Sequence, residues 1–288
     1  MKTVFIVPNL RKKGIDGAVS YLCSVLRRHD VEILLPRYSP FMIGEPGICF
    51  VDLGEGTRRA DFIISMGGDG TMLRIAGLAA RYNTPLLGIN LGHLGFITAL
   101  EADEIDLIEQ IFEGRYRIDQ RMMLDVTVVR NDQTIYSATA LNEVIVTKLN
   151  PSKVVRIMIQ ADEIPVIDYR GDGLIIATPT GTTAYSYSAG GPIIEPTAEN
   201  IAVTPVCPFT GRGKSFVFSA DRTISVCASE RDGGGACISA DGEQTIGLRP
   251  DDIVYIRRSA SVTRLITIKE CSFYDILHQK LSDGGVDG

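Results

Sequence analysis

Short apolar runs alternate with amphipathic helical segments over the first hundred residues of the 288-residue chain. The bulky, partly β-branched runs at 4–7, 31–35, 61–66 and 85–90 are predicted to be buried strands. Helices are predicted from an N-cap at Asp16 and over residues 71–82. Because parallel strands need long crossover connections, this alternation predicts a parallel, doubly wound α/β sheet. Ligands of such sheets bind at the carboxyl ends of the strands.

The pattern changes after a further helix predicted over 103–112. The following segments are short, β-rich and separated by turn residues, which is typical of an all-β domain. A last helix, predicted over 273–281, is expected to return to the first domain. We therefore predict one α/β domain formed by residues 1–99 plus 272–288, and one β-rich domain formed by residues 100–271.

The overall charge and the cysteine pattern exclude several classes of protein. A net charge of -6 gives no general attraction to nucleic acid or to an anionic membrane surface. The basic run Arg11-Lys12-Lys13 is interpreted as a solvated loop. Six cysteines include no C-x-x-C pair and there are only three histidines, so no metal site is predicted. No signal peptide or membrane span is recognised, and a cytoplasmic location without nucleic-acid or membrane partners is expected.

The strand predicted over 61–66 runs directly into Gly67-Gly68-Asp69-Gly70-Thr71. Glycines allow a sharp turn and a close approach of the backbone to a ligand, and the amides that begin the next helix suit a phosphate. Asp69 lies where it could accept the proton of an attacking hydroxyl. The alternative is a structural turn with Asp69 as N-cap. The spacing matches neither a Walker A loop nor G-x-G-x-x-G.

Three later segments also carry polar groups. Asn142-Glu143 could bind the hydroxyls of a ribose, although a surface strand end is the simpler interpretation. Residues 172–192 form a strand that leads into hydroxyls, glycines and tyrosines, where Tyr185 or Tyr187 could stack on a base. Residues 239–243 alone indicate a hairpin turn.

Together these segments resemble the NAD kinase family, whose members use ATP or polyphosphate, in its bacterial type. The chain matches G-G-D-G-T at 67–71, N-x-G-x-x-G-F at 90–96, N-E at 142–143 and D-G…T-P-T-G-[ST]-T-A-Y-S-x-S-A-G-G-P at 172–192. The first motif is shared with diacylglycerol, sphingosine and phosphofructokinase relatives, whereas the last is highly specific. Two departures are Phe209, where the family has histidine, and Glu243, where it has glutamine.

The resemblance implies transfer of the γ-phosphate of ATP to the 2′-hydroxyl of the adenosine ribose of NAD, with Asp69 as general base. Mg²⁺ or another divalent cation would arrive with the nucleotide, without a protein metal site. The first domain would then bind nucleotide and the second NAD, and the chain would form a homodimer or homotetramer. The implied substrate-binding residues are Gly68, Gly70, Arg74, Asn142, Glu143, Arg156, Arg170, Asp172, Thr183, Ala184, Tyr185, Ser186, Tyr187, Ser188 and Glu243.

Within that set the resemblance implies separate roles. Gly68 and Gly70 would face the donor's phosphates, and Asn142 with Glu143 would hold a ribose of NAD. Asp172 would contact the nicotinamide side. Residues 183–188 would line the NAD pocket, with Tyr185 against the adenine. Arg170 matches a position linked to preference for NAD over NADH.

Three other functions are compatible with the glycine-rich turn. A lipid kinase would need an apolar acceptor cleft, against which the polar loop at 172–192 argues. A non-catalytic dinucleotide sensor would not need a carboxylate at Asp69. A sugar kinase would need a basic cluster for a sugar phosphate, and none is visible in the sequence. The choice between ATP and polyphosphate, the choice between NAD and NADH, and the oligomer size stay open.

Overall fold

The structure is a computed structural model that describes residues 1–39, 47–92, 95–209, 213–229, 234–270 and 272–283. Internal contacts divide the chain into two units. The first consists of Met1–Gln120 and Val262–Gly288, and the second of Arg121–Ser261. The first is an α/β unit with parallel strands and the second is a β unit, as the sequence predicts, and the strands of the second unit pair antiparallel.

The amino-terminal part of the first unit forms a parallel sheet. Its strands are β1 (Lys2–Pro8), β2 (Val31–Pro36), β3 (Ile48–Val51), β4 (Phe62–Gly67) and β5 (Leu86–Asn90), and they pair in the order β3-β2-β1-β4-β5. The short strand β6 (Leu100–Glu101) pairs in parallel with β5. The helices are α1 (Ile15–Leu26), α2 (Leu53–Arg59), α3 (Asp69–Arg81) and α4 (Glu109–Phe112), the last preceded by a 3₁₀ helix over Ala102–Ile108.

Strands β4 and β5 are buried at every residue, which explains their continuous apolar sequences. Helix α1 covers one face of the sheet with its apolar stripe, which includes Val19, Leu22 and Leu26. The predicted N-cap at Asp16 is wrong by two residues. Gly14 is the N-cap because it adopts a left-handed φ of 79°, and Asp16 lies in the first helical turn.

Residues 100–120 pack with the first unit. Ile105, Ile108 and Ile111 are buried in the same hydrophobic core as α1 and the parallel strands. The contact-based division of the chain therefore falls after residue 120, whereas the domain boundary predicted from the sequence falls after residue 99. The helix predicted over 103–112 is a 3₁₀ segment followed by a single α-helical turn.

The second unit contains two antiparallel arrays around one hydrophobic core. In the first array the strand order is β14-β13-β12-β9-β16-β17. In the second, β10 lies between β11 and β15, β15 also pairs with β18, and β7 forms a hairpin with β8. The strand bounds are β7 (Arg117–Arg130), β8 (Gln133–Ala140), β9 (Glu143–Lys148), β10 (Val155–Ala161), β11 (Ile164–Gly171), β12 (Gly173–Ala177), β13 (Asn200–Val206), β14 (Phe216–Ser219), β15 (Ile224–Ser229), β16 (Ala236–Ala240), β17 (Ile246–Leu248) and β18 (Ile253–Thr267).

The chain ends in the first unit. The carboxyl end of β18 pairs in parallel with β5, with Leu265 opposite Leu86. The second unit contains the one-turn helix α5 (Tyr185–Ser188). The last helix of the chain is α6 (Phe273–Asp283). The ring of Phe273 packs on that of Phe96 with centroids 6.4 Å apart, so the predicted return of this helix to the first unit is confirmed. Over the ranges described above, the helices are too short or too polar to cross a membrane.

Candidate functional site

The glycine-rich turn joins β4 to α3 without a loop. Gly68 is the N-cap in extended conformation (φ −156°, ψ −172°), and Asp69 is already the first helical residue. The helix predicted from residue 71 therefore begins two residues earlier, and the alternative of Asp69 as N-cap is wrong. A Cβ atom on Gly67 would lie 2.1 Å from the Thr71 hydroxyl oxygen, so this sharp entry into the helix requires glycine.

The segment after β5 holds the Asp69 carboxylate. The backbone N–H of Phe96 donates to Oδ2 at 2.9 Å, and that of Ile97 donates a longer bond to Oδ1 at 3.4 Å. A Cβ atom on Gly95 would lie 1.9 Å from Oδ1. The carboxylate is thus fixed by a close backbone approach that only glycine at position 95 permits.

Two opposing influences set the acidity of Asp69. Burial raises the pKa of its carboxyl above the ordinary value. The amides of Phe96 and Ile97 and the positive charge of Lys280 oppose that rise. The net shift is upward, so Asp69 holds a proton more readily than an exposed aspartate, which suits a general base.

A cavity of about 640 Å³ lies beside this turn. It brings together the predicted residues Gly68, Gly70 and Arg74. The other lining residues are Pro8, Asn9, Leu10, Arg11, Lys12, Tyr38 and Thr71. Arg11, Lys12 and Lys13 are exposed in a turn segment, which agrees with their interpretation as a solvated loop, and Arg11 and Lys12 in addition line this cavity. Their place directly after β1, at the carboxyl edge of the sheet, is the signal that could have found them.

In the second unit, Asn142 and Glu143 are buried at the start of β9, so the alternative of a surface strand end is wrong. Oδ1 of Asn142 and Oε2 of Glu143 have no hydrogen-bond partner among the described residues. A buried polar atom without a partner costs roughly 1–3 kcal/mol. Two such atoms on adjacent residues indicate a place where a ligand supplies hydrogen-bond donors.

Asp241 organises this pair, a role that the interpretation of residues 239–243 as a hairpin turn did not include. Its carboxylate accepts from the backbone N–H groups of Leu141 (2.6 Å), Asn142 (2.9 Å) and Glu143 (3.0 Å). The turn around it is the predicted hairpin turn, between β16 and β17, with left-handed φ at both Asp241 (47°) and Gly242 (71°). The Asp-Gly pair predicts the turn, but no local signal predicts the three hydrogen bonds.

Burial raises the pKa of Glu143 to about 8, and the negative charge of Asp241 is the second, smaller cause. Glu143 therefore carries a proton at neutral pH and can donate as well as accept a hydrogen bond. Burial also raises the pKa of Asp241, against the three amides that favour its charged form.

The polar loop after β12 packs on Asn142. The Thr178 hydroxyl donates to the carbonyl oxygen of Leu141 at 2.5 Å. A Cβ atom on Gly181 would lie 2.1 Å from the carbonyl oxygen of Asn142. The Asn142-Glu143 and 172–192 motifs, separate in the sequence, therefore meet within the second unit.

The predicted residues 183–188 of this loop face different surroundings. Tyr185, Tyr187 and Ser188 are exposed, whereas Ser186 is fully buried with its hydroxyl paired to that of Thr204. The Thr183 hydroxyl donates to the carbonyl oxygen of Thr180, and Ala184 is half-buried. Tyr185, Tyr187 and Ser188 are therefore the side chains of this segment that are open to a ligand.

The remaining predicted residues lie elsewhere in the second unit. Asp172 accepts from Nζ of Lys148 at 2.7 Å, and Arg156 pairs with Asp168. The side chains of Arg170 and Glu243 are exposed. Phe209, which replaces the family's histidine, is 77% exposed. Across the portion of the chain described above, no group of three or more His, Cys, Asp and Glu side chains is placed to hold a metal ion.

Comparison with known proteins gives one consistent family. The model of the ATP-NAD kinase N-terminal domain matches residues 54–116, and that of the ATP-NAD kinase C-terminal domain matches residues 141–268. The NAD kinase of Thermoanaerobacter sp. (strain X514) is 40% identical over 286 residues, which cover 98% of this chain and 100% of the relative. The NAD kinase of Cupriavidus pinatubonensis is 33% identical over 282 residues, with 97% and 92% coverage.

Two solved structures share the fold. A crystal structure of yeast NADH kinase complexed with NADH superposes with a TM-score of 0.85 at 21% identity, and covers 100% of this chain and 89% of that chain. A crystal structure of an NAD kinase from Archaeoglobus fulgidus in complex with ATP gives a TM-score of 0.74 at 28% identity, with 97% and 98% coverage. From the matches over nearly its full length, we conclude that this chain belongs to the NAD kinase family.

Proposed function

We infer that the chain phosphorylates NAD to NADP with ATP as donor, and that Asp69 is the general base. Family membership supports the reaction. The observation that best supports the base is the buried carboxylate of Asp69, which accepts a hydrogen bond from the Phe96 amide. Its neighbours in the sequence, Gly68 and Gly70, line the cavity. In this reaction the 2′-oxygen of the adenosine ribose forms a bond to the γ-phosphorus, ADP leaves, and the hydroxyl proton goes to Asp69.

Asp69 is proposed to supply a smaller part of the rate acceleration than substrate alignment does. A ribose hydroxyl is a weak nucleophile, and the transition state of phosphoryl transfer is loose, so alignment supplies most of the acceleration. A positioned base contributes about 10²–10⁴-fold. The raised pKa of Asp69 increases its affinity for the proton, while the Phe96 N–H keeps the carboxylate in one orientation.

For the acceptor, we propose that Asn142 and Glu143 bind a ribose of NAD, because their buried oxygens lack partners among the described residues. Tyr185 is proposed to stack on the adenine, with the other residues of 183–188 around it. Asp172 is proposed to contact the nicotinamide side, since its carboxylate keeps 34% exposure beside Lys148. Arg156, Arg170 and Glu243 complete the proposed set of NAD-binding residues, and Arg170 is proposed to favour NAD over NADH.

For the donor, we propose that Gly68, Gly70 and Arg74 contact the phosphates, because all three line one cavity. A divalent cation, Mg²⁺ or a similar ion, would neutralise phosphate charge when it is bound with ATP. Mg²⁺ in kinase sites usually keeps several waters and is bound through the substrate phosphates, which is why the proposal routes the cation through the nucleotide. Polyphosphate is proposed as a second possible donor.

The assembly and cellular location belong to the same proposal. We propose a cytoplasmic homodimer or homotetramer without nucleic-acid or membrane partners. The net charge of -6 supports the proposal of no nucleic-acid or membrane partner. The described cysteines, which form no disulfide, support the proposed cytoplasmic location.

A coupled assay tests the reaction. Purified protein is incubated with NAD or NADH and with MgATP or polyphosphate, and NADP(H) is measured with an NADP-specific dehydrogenase. We expect NADP from NAD and ATP, and loss of activity when EDTA removes the divalent cation. NAD binding without formation of NADP would contradict the proposal and favour a dinucleotide sensor. Phosphorylation of diacylglycerol in place of NAD would favour a lipid kinase.

A further inference from the structure

Three cationic side chains line the cavity beside the glycine-rich turn. They are Arg11, Lys12 and Arg74. No ion pair joins any of the three to a carboxylate within the described ranges, whereas arginines such as Arg59 and Arg130 do form such pairs. Gathering unpaired cations in one concave site is unfavourable unless an anion balances them, and the chain as a whole is acidic. The cavity is therefore suited to a polyanion.

Hydrogen bonds fix the loop that carries Arg11 and Lys12. The amide of Asn9 donates to the carbonyl oxygen of Met66 at 2.8 Å, and its side chain donates to the Thr71 hydroxyl at 3.2 Å. The backbone N–H groups of Arg11 and Lys12 donate back to Asn9 at 3.1 Å and 3.0 Å. The loop backbone is thus tied to both ends of the turn that contains Asp69, so the two cationic side chains project from a fixed backbone beside the cavity.

The Lys12 side chain reaches the segment that follows β5. Its ammonium nitrogen is 3.8 Å from the position that a Cβ atom of Gly92 would occupy. The side-chain oxygen of Asn90 is 3.7 Å from that same position and 3.6 Å from the Cβ position of Gly68. Lys12 and Gly68, the residue that precedes Asp69, also line the same cavity.

We propose that Arg11 and Lys12, together with Arg74, bind the phosphate chain of the donor, and that Lys12 stabilises the charge on the phosphoryl group in transfer. The ligand class is a linear chain of three or more phosphates, either a nucleoside triphosphate or inorganic tripolyphosphate. Arg11 contributes forked hydrogen bonds to phosphate oxygens, while Lys12 contributes a compact charge. The catalytic part of this inference rests on the proposed function; the binding part does not.

Steady-state kinetics tests the catalytic part, with Lys13→Ala as matched control because Lys13 belongs to the same basic run but does not line the cavity. We expect Lys12→Ala to lower kcat and Arg11→Ala to raise the KM for ATP, each by roughly 10- to 100-fold. The KM for NAD should stay unchanged in both, as should thermal unfolding. If both variants match Lys13→Ala, the inference is wrong.

Calorimetry with sodium tripolyphosphate, and separately with ATP, tests binding in the full chain without NAD. We expect Arg11→Ala and Lys12→Ala to weaken binding of both ligands at least about 10-fold, and more at low salt than at high salt. Binding of ATP alone that depends on Arg11 and Lys12 would identify the nucleotide as the source of the phosphates. Binding that is indifferent to both residues, or no binding of either ligand, overturns the site.

The two proposals fail in distinguishable ways. If the wild-type chain makes no NADP but binds tripolyphosphate through Arg11 and Lys12, the proposed reaction is wrong and the phosphate site stands. If the chain makes NADP while both variants keep the donor KM and kcat of Lys13→Ala, the reaction stands and the assignment of Arg11 and Lys12 is wrong.

Discussion

The backbone N–H of Phe96 donates a 2.9 Å hydrogen bond to Oδ2 of Asp69. This bond joins the first residue of α3 to the segment that follows β5. The ring of Phe96 in turn packs on Phe273 of α6, at 6.4 Å between centroids. The orientation of the proposed base therefore depends on three segments of the first unit that lie far apart in the sequence.

Replacing Asp69 by asparagine separates proton transfer from positioning. The asparagine oxygen can still accept from the Phe96 amide, but the side chain cannot take up the hydroxyl proton. We expect kcat to fall about 10²–10⁴-fold while the affinity for NAD changes little. The coupled assay and equilibrium binding of NAD measure the two quantities. Asp103→Asn, an exposed carboxylate on the same unit, is the control, and near-normal turnover of Asp69→Asn would remove Asp69 as the base.

Gly95→Ala should disturb the same carboxylate from the other side. The added methyl group would lie 1.9 Å from Oδ1 of Asp69, so the side chain or the backbone must move. We expect a loss of kcat comparable to that of Asp69→Asn, and overpacking should cost about 1–3 kcal/mol in the free energy of unfolding. Kinetics and urea denaturation measure these effects.

Gly17→Ala is the matched control for that substitution. Gly17 lies within α1, where an added Cβ meets no atom within 4 Å. Alanine there should stabilise the helix by up to about 1 kcal/mol and leave kcat unchanged. Full activity in Gly95→Ala would show that the close approach of residue 95 does not position Asp69.

Glu143 should make stability fall as the pH rises. Its pKa is raised to about 8 in the folded chain, mainly by burial, so between its ordinary value near 4.5 and about 8 the unfolded chain loses a proton that the folded chain keeps. The penalty is absent below about pH 4 and complete above about pH 8. Glu143→Gln removes this titration, so its stability relative to wild type should increase from pH 5 to pH 8.

Urea denaturation of wild type and Glu143→Gln at several pH values measures this difference. Glu195→Gln, an exposed position of the second unit, is the control and should show a stability difference from wild type that does not depend on pH. A constant difference between Glu143→Gln and wild type from pH 5 to pH 8 would contradict the raised pKa.

Lys280 on α6 should affect the pH profile of the reaction. Its positive charge opposes the upward shift of the Asp69 pKa. Removing that charge in Lys280→Ala should raise the pKa of Asp69 further. Because Asp69 must be unprotonated to act as base, the acid limb of the kcat profile should move to higher pH. Gln279→Ala, its exposed neighbour on α6, should leave the profile in place, and an unmoved limb in Lys280→Ala would contradict the coupling.

Much of this molecule follows from local sequence patterns. The buried strands β1, β4 and β5, the helix α1 and the change to an all-β domain follow from the period and composition of apolar residues. Helix α2 does not, because Gly54 and Gly56 are poor helix formers. It forms since Gly56 lies against the ring of Phe5, where a Cβ atom would be 2.6 Å away, and that contact depends on tertiary packing.

The sequence by itself determined the family, the strand-to-turn-to-helix geometry around Asp69 and the chemical types of the polar groups, because motifs and periodicity are local properties. Only the tertiary structure decided which of those groups act together. Asp241 holds the amides of Leu141, Asn142 and Glu143 across about a hundred residues, and the loop after β1 brings Arg11 and Lys12 to the cavity at Gly68. Such contacts depend on long-range packing and burial, which also set the raised pKa of Glu143 and leave its oxygen without a partner among the described residues.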